Sequence, residues 1–381
     1  MPPSPSSYLP NLTGVRGLAA VWVLGQHSWN YANSPPLVVP SLHLDFTPLL
    51  KCGYVGVDLF FVLSGFLLSM PFHRAALECR ATPSLKEFWI HRCRRVLPAY
   101  WLQLAILATV FFVLGIHPDQ IAPRNLAAHA LLIFNIVPWP VPLMNVVYWS
   151  MPVEWDFYVV LPLLAWLVTR TRWPLAWLLA VTFAVAFRVL CYWSLTDVHL
   201  ARFVAYGEIQ QLPARIDQFV VGICVAWIAA SRPLSQRGSN ACLVAGMVGI
   251  LIMLYLAAPR DDFLVRADAP YIFYHHSLTA LAFGLLVLGA AGRTRLGTLL
   301  FANRPMTFLG LISYSLYLWH HPLLGILLVN GYTSGAIAPA WQVVMLALPG
   351  VLIVSWLSYR FVETPFLRAT VVPKRVQAEA A

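Results

Sequence analysis

Two polar residues, Arg16 and His27, interrupt the first apolar stretch of the chain. A charge in membrane hydrocarbon costs roughly 3 kcal/mol or more, so such residues are rare there unless they have a function. Because an α-helix turns by about 100° per residue, eleven positions bring the two side chains within about 20° of each other and about 16 Å apart along the axis. One helix face would therefore carry a permanent cation and a group that titrates near neutral pH, which suits catalysis or transport.

Arginines are concentrated ahead of the third apolar stretch, at Arg92, Arg94 and Arg95. Arg92 and Arg95 are three residues apart and therefore share a helix face. Because a guanidinium can bind a phosphate through two parallel hydrogen bonds, the cluster predicts a site for a phosphorylated ligand. The same residues could instead be positive anchors on anionic lipid at the cytoplasmic surface. Pro98 fits the first turn of the helix that follows.

The second apolar stretch contains Asp58 and Ser64. Asp58 lies one turn inside this stretch, where a carboxylate needs a partner or a proton. Ser64 is followed by Gly65, and such small residues allow a neighbouring helix to approach closely. Ser64 is not part of a GxSxG elbow, which argues against serine-hydrolase chemistry.

The fifth apolar stretch opens with polar residues at helical spacing. Directly after Trp149 come Ser150, Glu154 and Tyr158, which are spaced four residues apart and could therefore line one helix face. The acid could orient a histidine or bind a polar substrate. It could equally be an interfacial carboxylate that faces water.

Two further groups of polar residues have structural interpretations of at least equal weight. Arg188 is a candidate ion-pair partner for Asp217, which lies at the start of a later stretch. His320 and His321 are adjacent, and neighbouring side chains on a helix diverge by about 100°. At most one of these histidines is therefore expected to face a functional site, and helix packing would explain both.

Composition indicates the class of protein. Apolar residues make up 60% of the 381 positions and charged residues only 10%, and the mean hydropathy is +0.71. Soluble domains carry about 25% charged residues, so the chain is predicted to cross a membrane many times. The net charge of +10 is spread over the loops, which favours a role in topology over nucleic-acid binding. The sequence contains no metal-ligand or nucleotide-binding motif.

Eleven apolar stretches can be marked, and most approach the roughly 20 residues of a helical span. They lie at about 12–31, 53–71, 96–116, 126–140, 147–168, 173–193, 214–231, 240–258, 272–291, 307–329 and 340–361. The stretch 126–140 is short, contains His129 and Asn135, and ends in prolines. It is predicted to be re-entrant or interfacial, which leaves ten spans.

Loop charge sets the expected topology. If residues 126–140 do not cross, the loops on one side hold 16 Lys and Arg and those on the other side hold 5. Positively charged loops are cytoplasmic, so both termini are expected in the cytoplasm. The predicted fold is an all-α, polytopic membrane helical bundle of about ten transmembrane helices. Residues 1–366 would form the transmembrane domain, and residues 367–381 a disordered cytoplasmic tail.

Taken in order, these segments resemble the acyltransferase 3 family of bacterial integral-membrane acyltransferases, which includes O-antigen acetyltransferases and macrolide O-acyltransferases. The matching motifs run from residue 12 to residue 366. They are Arg16 with His27, Asp58 with Phe60 to Phe66, Arg92-x-x-Arg95-x-x-Pro98-x-Tyr100, Trp149-Ser150-x-x-x-Glu154-x-x-Phe157-Tyr158, Ser313-Tyr314-x-x-Tyr317-x-x-His320 and Glu363-x-Pro365. Each motif is weak alone, and six in this order are specific.

The resemblance implies an O-acyltransferase that moves an acyl group, usually acetyl, from acyl-CoA to a hydroxyl. The acceptor would be a sugar, a glycolipid, a cell-envelope polysaccharide or a macrolide, and no cofactor would be permanently bound. The implied location is the bacterial inner membrane. A secondary transporter that uses the intramembrane charges as a proton relay is the competing hypothesis.

The family's chemistry would give these residues distinct roles. His27 would take the proton of the acceptor hydroxyl, with Asp58 or Glu154 holding its tautomer. An acyl-His27 intermediate is a variant of this mechanism. The donor coenzyme A would be held by Arg16, Arg92, Arg94 and Arg95. The acceptor would be bound by Ser64, Trp149, Ser150, Tyr158 and His320.

Overall fold

The computed structural model describes residues 9–32, 34–42, 44–193, 210–260, 269–332 and 347–368, and most of these residues are helical. The helices are α1 (Pro10–Tyr31), α2 (Thr47–Lys51), α3 (Val55–Leu77), α4 (Leu85–Leu114), α5 (Pro123–Ala130), α6 (Ser150–Arg170), α7 (Trp173–Trp193), α8 (Leu212–Ser231), α9 (Gln236–Ala257), α10 (Ala269–Ala291), α11 (Arg295–Phe301), α12 (Arg304–Tyr332), α13 (Leu348–Ser358) and α14 (Thr364–Arg368). A π-helical turn, Tyr359–Glu363, separates the last two.

Strands β1 (Val38–Val39) and β2 (Leu44–Asp45) form a small antiparallel hairpin after α1. Val38 pairs with Asp45 and Val39 with Leu44. These are the only strands within the described ranges, which confirms the prediction of an all-α fold. The expected C-terminal tail lies outside the described residues from position 369 onward.

Seven helices in the described part of the chain are long and apolar enough to cross a membrane. They are Val55–Leu77, Leu85–Leu114, Val146–Arg170, Trp173–Tyr192, Leu212–Ser231, Gln236–Ala257 and Phe273–Ala291. Each corresponds to a predicted span. Helices α1 and α12, with 22 and 29 residues, have the length of a span. The full count of ten remains a prediction.

Residues 126–140 do not form a spanning helix, as predicted. The helix there, α5, contains eight residues, Pro123–Ala130. At about 1.5 Å per residue it is about 12 Å long, well short of a bilayer core of about 30 Å. After Leu132, which has a positive φ of 57°, the chain continues without another α-helix to α6.

The helix of the third predicted span begins eleven residues before the apolar stretch 96–116, because α4 begins at Leu85. Ser84 caps the helix by accepting a hydrogen bond from the Glu87 N–H at 3.4 Å. Ser and Glu at this spacing form the capping-box pattern. The arginine cluster therefore lies on a helix rather than in a loop. Pro98 lies inside α4, where it leaves the carbonyl of Arg94 without its helical donor.

Glycines allow the central helices to approach closely. A Cβ atom at Gly310 of α12 would lie 1.8 Å from the carbonyl oxygen of Thr13 in α1. A Cβ atom at Gly65 of α3 would lie 2.1 Å from the carbonyl oxygen of Phe219 in α8. The close approach predicted at Ser64-Gly65 is thus confirmed, and α1 and α12 are held in direct backbone contact.

The predicted ion pair between Arg188 and Asp217 is confirmed. Arg188 Nη2 lies 2.9 Å from Asp217 Oδ1, and both side chains are fully buried. Arg188 also donates to the carbonyl of Ala214 at 2.8 Å, and Ser277 donates to Asp217 at 2.5 Å. This network joins α7, α8 and α10.

Candidate active site

Three histidines meet where α1 packs against α12. Nδ1 of His27 lies 3.1 Å from Nε2 of His320. The ring of His27 is centred 5.0 Å from that of His320 and 5.2 Å from that of His321. Tyr31, one turn along α1 from His27, packs edge-on against His321 with centroids 5.8 Å apart.

The expectation that only one of the two adjacent histidines could face a site is wrong. His320 reaches His27 through its ring nitrogen, whereas His321 meets the same ring edge-on at an angle of 89°. The imidazole of His27 is large enough to be contacted from two directions. Both neighbours therefore help to define its position.

Asp58 lies in a different cluster from His27. One of its carboxylate oxygens is 3.2 Å from Arg215 Nη1, and the other is 3.0 Å from His276 Nδ1. The indole of Trp149 lies against the guanidinium of Arg215, 5.8 Å from ring centre to Cζ. Asp58 therefore belongs to a buried group between α3, α8 and α10, and the half-buried Trp149, in the turn before α6, packs against this group.

Glu154 also forms its hydrogen bonds with residues other than His27. Its Oε1 accepts hydrogen bonds from Ser64 Oγ at 3.0 Å and Tyr158 OH at 2.8 Å. Among the described residues, neither Asp58 nor Glu154 hydrogen-bonds to His27. The expectation that one of these acids holds its imidazole is corrected. The groups at Nδ1 are His320 and the Val23 carbonyl, 3.0 Å away in the preceding turn of α1.

The polar residues of α6 line one face, as their spacing predicted. Ser150 Oγ is 2.6 Å from the hydroxyl of Tyr317, which in turn lies beside His320 with ring centres 5.9 Å apart. One turn further, Glu154 holds Ser64, and another turn on, Tyr158 lies under Arg92. This face runs from the histidines towards the arginines.

The arginine cluster forms around the other end of α1. Arg16 interacts electrostatically with the cations of Arg95 and Arg92 and with the anions of Glu154 and Glu363. Arg92 lies 5.9 Å from the ring centres of both Phe88 and Tyr158. Arg94, two residues on from Arg92, lies on a different face of α4. The structure thus brings Arg16, Arg92 and Arg95 together.

Glu363 also belongs to this cluster, although no role was predicted for it from the sequence. Its buried carboxylate accepts hydrogen bonds from Arg95 Nη1 at 2.6 Å and from Ser315 Oγ at 2.5 Å. Oγ of Ser315 also lies 2.8 Å from Oγ of Ser358, whose hydroxyl can donate to it. The Glu363-x-Pro365 motif marked the residue, but its partner lies 268 positions away and could not be read from the sequence.

The site therefore has two chemically different ends joined by α1 and α6. One end offers imidazoles that can accept and return a proton. The other offers three guanidiniums against two carboxylates, a net positive charge that favours an anionic ligand. A substrate that carries phosphate at one end and a reactive group at the other would match this arrangement.

Comparison with known proteins gives the context for this geometry. The sequence model of a family described as an acyltransferase domain matches residues 9–360. Peptidoglycan O-acetyltransferase OatA of Listeria monocytogenes is 27% identical over 379 residues, which cover 94% of this chain and 56% of that protein. No solved structure shows a significant match.

Two other relatives show the same coverage. Putative peptidoglycan O-acetyltransferase YrhL of Bacillus subtilis is 27% identical over 390 residues, covering 94% of this chain and 55% of that protein. O-acetyltransferase OatA of Staphylococcus aureus is 25% identical over 378 residues, covering 94% and 57%. The chain spans about half the length of these curated relatives.

Proposed function

The chain belongs to this acyltransferase family, and on that premise we propose that it is a membrane O-acetyltransferase acting on a sugar hydroxyl of the cell envelope. Acetyl-CoA would be the donor. The names of the relatives support acetyl transfer to an envelope glycan. The observation that carries the proposal is the pairing of a histidine cluster at His27 with an arginine cluster at Arg16 on one helix.

The arginine end suits the phosphates of coenzyme A. Three guanidiniums, those of Arg16, Arg92 and Arg95, face only two carboxylates. A diphosphate would neutralise the excess positive charge through charge-assisted hydrogen bonds. The pantetheine arm would then follow α1 and the polar face of α6 towards His27.

The histidine end suits removal of a proton from the acceptor. His27 takes the proton of the sugar hydroxyl as its oxygen attacks the thioester carbonyl. The tetrahedral intermediate then collapses, the carbon–sulfur bond breaks, and the departing sulfur takes the proton back from His27. The products are an O-acetyl ester and free coenzyme A, and the histidine is regenerated.

The proposed orientation follows from loop charge. In the bacterial cytoplasmic membrane, with both termini in the cytoplasm, the arginine end of α1 lies nearer the cytoplasm, where acetyl-CoA is made. The histidine end lies nearer the outer face, where an envelope sugar would arrive. The lipid bilayer and the glycan are then the expected partners.

Consumption of the acetyl donor distinguishes the proposed acetyltransferase from a transporter. Membranes containing the protein are incubated with isotope-labelled acetyl-CoA and envelope glycan, and free thiol and labelled O-acetyl esters are measured together. An acetyltransferase releases one thiol for each ester formed. Proton-coupled movement of the glycan without thiol release would favour the transporter hypothesis instead.

A further inference from the structure

The hydrogen bonds of His320 determine which of its ring nitrogens carries hydrogen. Nδ1 of His320 lies 3.0 Å from the carbonyl oxygen of Leu316, which can only accept. Nδ1 therefore carries the hydrogen. In a neutral imidazole the other nitrogen, Nε2, then has a free lone pair, and this is the nitrogen that faces His27.

The same reasoning applies to His27. Its Nδ1 lies 3.0 Å from the carbonyl oxygen of Val23 and 3.1 Å from Nε2 of His320. Both of these groups accept, so Nδ1 of His27 carries hydrogen and donates between them. The lone pair of neutral His27 is consequently on Nε2. No described residue hydrogen-bonds to that atom, which leaves it available to a substrate hydroxyl.

From this arrangement we propose that His320 is a positioning residue that holds His27 in the tautomer with its basic nitrogen directed at the acceptor. The proposal rests on the proposed function, because it assigns a partner to the base of that reaction. Serine-hydrolase triads use a carboxylate at the corresponding place. Here a neutral imidazole occupies it, and within the described ranges no carboxylate hydrogen-bonds to either histidine.

Hydrogen bonds from neighbouring side chains hold the backbone of α12 in place next to His320. Pro322 has no N–H, so the carbonyl of Leu318 loses its helical donor. Gln103 and Asn145 donate to this oxygen instead, at 2.6 and 3.0 Å. The side chains of α4 and of the segment before α6 thus hold α12 at the turn that carries His320.

A second anchor lies one turn away on the same helix. The hydroxyl of Tyr317 donates to the carbonyl of Val147 at 2.8 Å and lies 2.6 Å from Ser150 Oγ. His320 itself is 1% exposed. Its ring is therefore held by packing and by its own backbone bond, and little reorganisation is needed when His27 becomes protonated.

Two substitutions of His320 test whether it orients the ring of His27 or only fills space in the helix interface. His320→Ala removes the acceptor, and misplacement of a catalytic group commonly costs about 100-fold in rate. We expect kcat to fall by about that factor, with KM for acetyl-CoA and for the glycan nearly unchanged. His320→Gln places an amide oxygen near the position of Nε2, and we expect it to keep kcat within about tenfold of the wild type.

His73→Gln is the matched control for loss of a buried helical histidine. His73 lies in α3, and its Nε2 is 3.1 Å from the carbonyl of Ile223, so its surroundings resemble those of His320 without contact with His27. Folded protein and thermal stability are measured for all variants. A general packing defect would affect His73→Gln as well, and it would leave the hydrogen of His27 on Nδ1.

Nitrogen-15 NMR of histidine-labelled protein gives a readout that needs no activity. We expect the wild-type His27 signals to show a protonated Nδ1 and a bare Nε2, and the His320→Ala signals to show a mixture of tautomers. The His320→Gln spectrum should resemble the wild type, which keeps the test valid if the alanine variant does not fold.

Two results would overturn this proposal. One is a wild-type His27 with hydrogen on Nε2. The other is unchanged kcat in His320→Ala while His27→Ala is inactive, which would leave the proposed acetyltransferase intact. If the wild type transfers no acetyl group, the proposed function fails, and the NMR tautomer still decides whether His320 orients His27.

Discussion

Arg95 and Glu363 form an ion pair in which Nη1 lies 2.6 Å from Oε2 and the glutamate side chain is wholly buried. The pair ties α4 to the π-helical turn near the end of the described chain. A buried carboxylate requires its cation, because an uncompensated charge there is strongly destabilising. Glu363 therefore fixes Arg95 while it offsets part of the positive charge around Arg16.

Glu363→Gln should weaken donor binding. The variant keeps a hydrogen-bond partner for Ser315 but loses the charged partner of Arg95. Glu363 no longer fixes the Arg95 guanidinium, and ordering a freed long side chain on binding costs about 0.5–1.5 kcal/mol. We expect this cost to outweigh the removal of one negative charge, so that KM for acetyl-CoA rises by up to about tenfold with KM for the glycan unchanged. Steady-state kinetics in both substrates measures this difference.

Glu78→Gln is the control for the loss of an ion pair as such. Glu78 pairs with Arg80 at 2.5 Å, but the two side chains are 54% and 63% exposed. Exposed pairs contribute little, so its kinetics should match the wild type. An unchanged donor KM in Glu363→Gln would remove Arg95 and Glu363 from the donor site.

Arg16→Gln tests the cation at the centre of the arginine cluster. The substitution removes the charge that faces Glu154 and Glu363 and, in the proposal, the donor phosphates. We expect kcat/KM for acetyl-CoA to fall by at least about tenfold, and this loss to shrink at high salt. Arg237→Gln, at an exposed position early in α9, is the control and should behave as the wild type. Equal donor kinetics in both variants would contradict this account.

The buried ion pair of Arg188 and Asp217 should contribute to the thermal stability of the protein. Asp217→Ala leaves the Arg188 guanidinium buried without its counter-charge, which typically costs about 3–5 kcal/mol. We expect a clear fall in the temperature of thermal unfolding in detergent. Replacing both residues, with Arg188→Met and Asp217→Leu, should recover much of the loss. Equal stability of Asp217→Ala and the wild type would show that the pair is not structural.

The contact between His27 and His320 should depend on the close packing of α1 against α12. Gly310→Ala would place a Cβ atom 1.8 Å from the Thr13 carbonyl oxygen, so the helices must separate. We expect a large loss of acetyl transfer per folded protein, because His27 and His320 lie on these two helices. Gly238→Ala meets nothing closer than 3.5 Å and serves as the control. Full activity in Gly310→Ala would show that the spacing of α1 and α12 does not limit the reaction.

Features set by local periodicity could be predicted from the sequence. The shared face of Arg16 and His27 and the line of Ser150, Glu154 and Tyr158 follow from the geometry of a single helix. The start of α4 could also have been predicted from the sequence, because Ser84 and Glu87 form a capping box ahead of the apolar residues. Hydropathy placed the boundary too late, since it does not register the polar first turns of a long helix.

Partnerships between distant helices could not be predicted. His27 and His320 are 293 positions apart, and Asp58 and His276 are 218 apart. Several histidines and acids were equally plausible partners for His27 on residue type alone. Only the packing of α1 against α12, set by small residues such as Gly310, selects His320.

If His27 is the base of an acetyl transfer, its removal should abolish the transfer while the protein remains folded. Membranes with equal amounts of folded wild-type, His27→Ala or His73→Ala protein are incubated with isotope-labelled acetyl-CoA, and mass spectrometry follows the label into envelope glycans. We expect labelled O-acetyl esters with the wild type and His73→Ala, and only background with His27→Ala. Equal labelling by His27→Ala and the wild type would contradict this expectation.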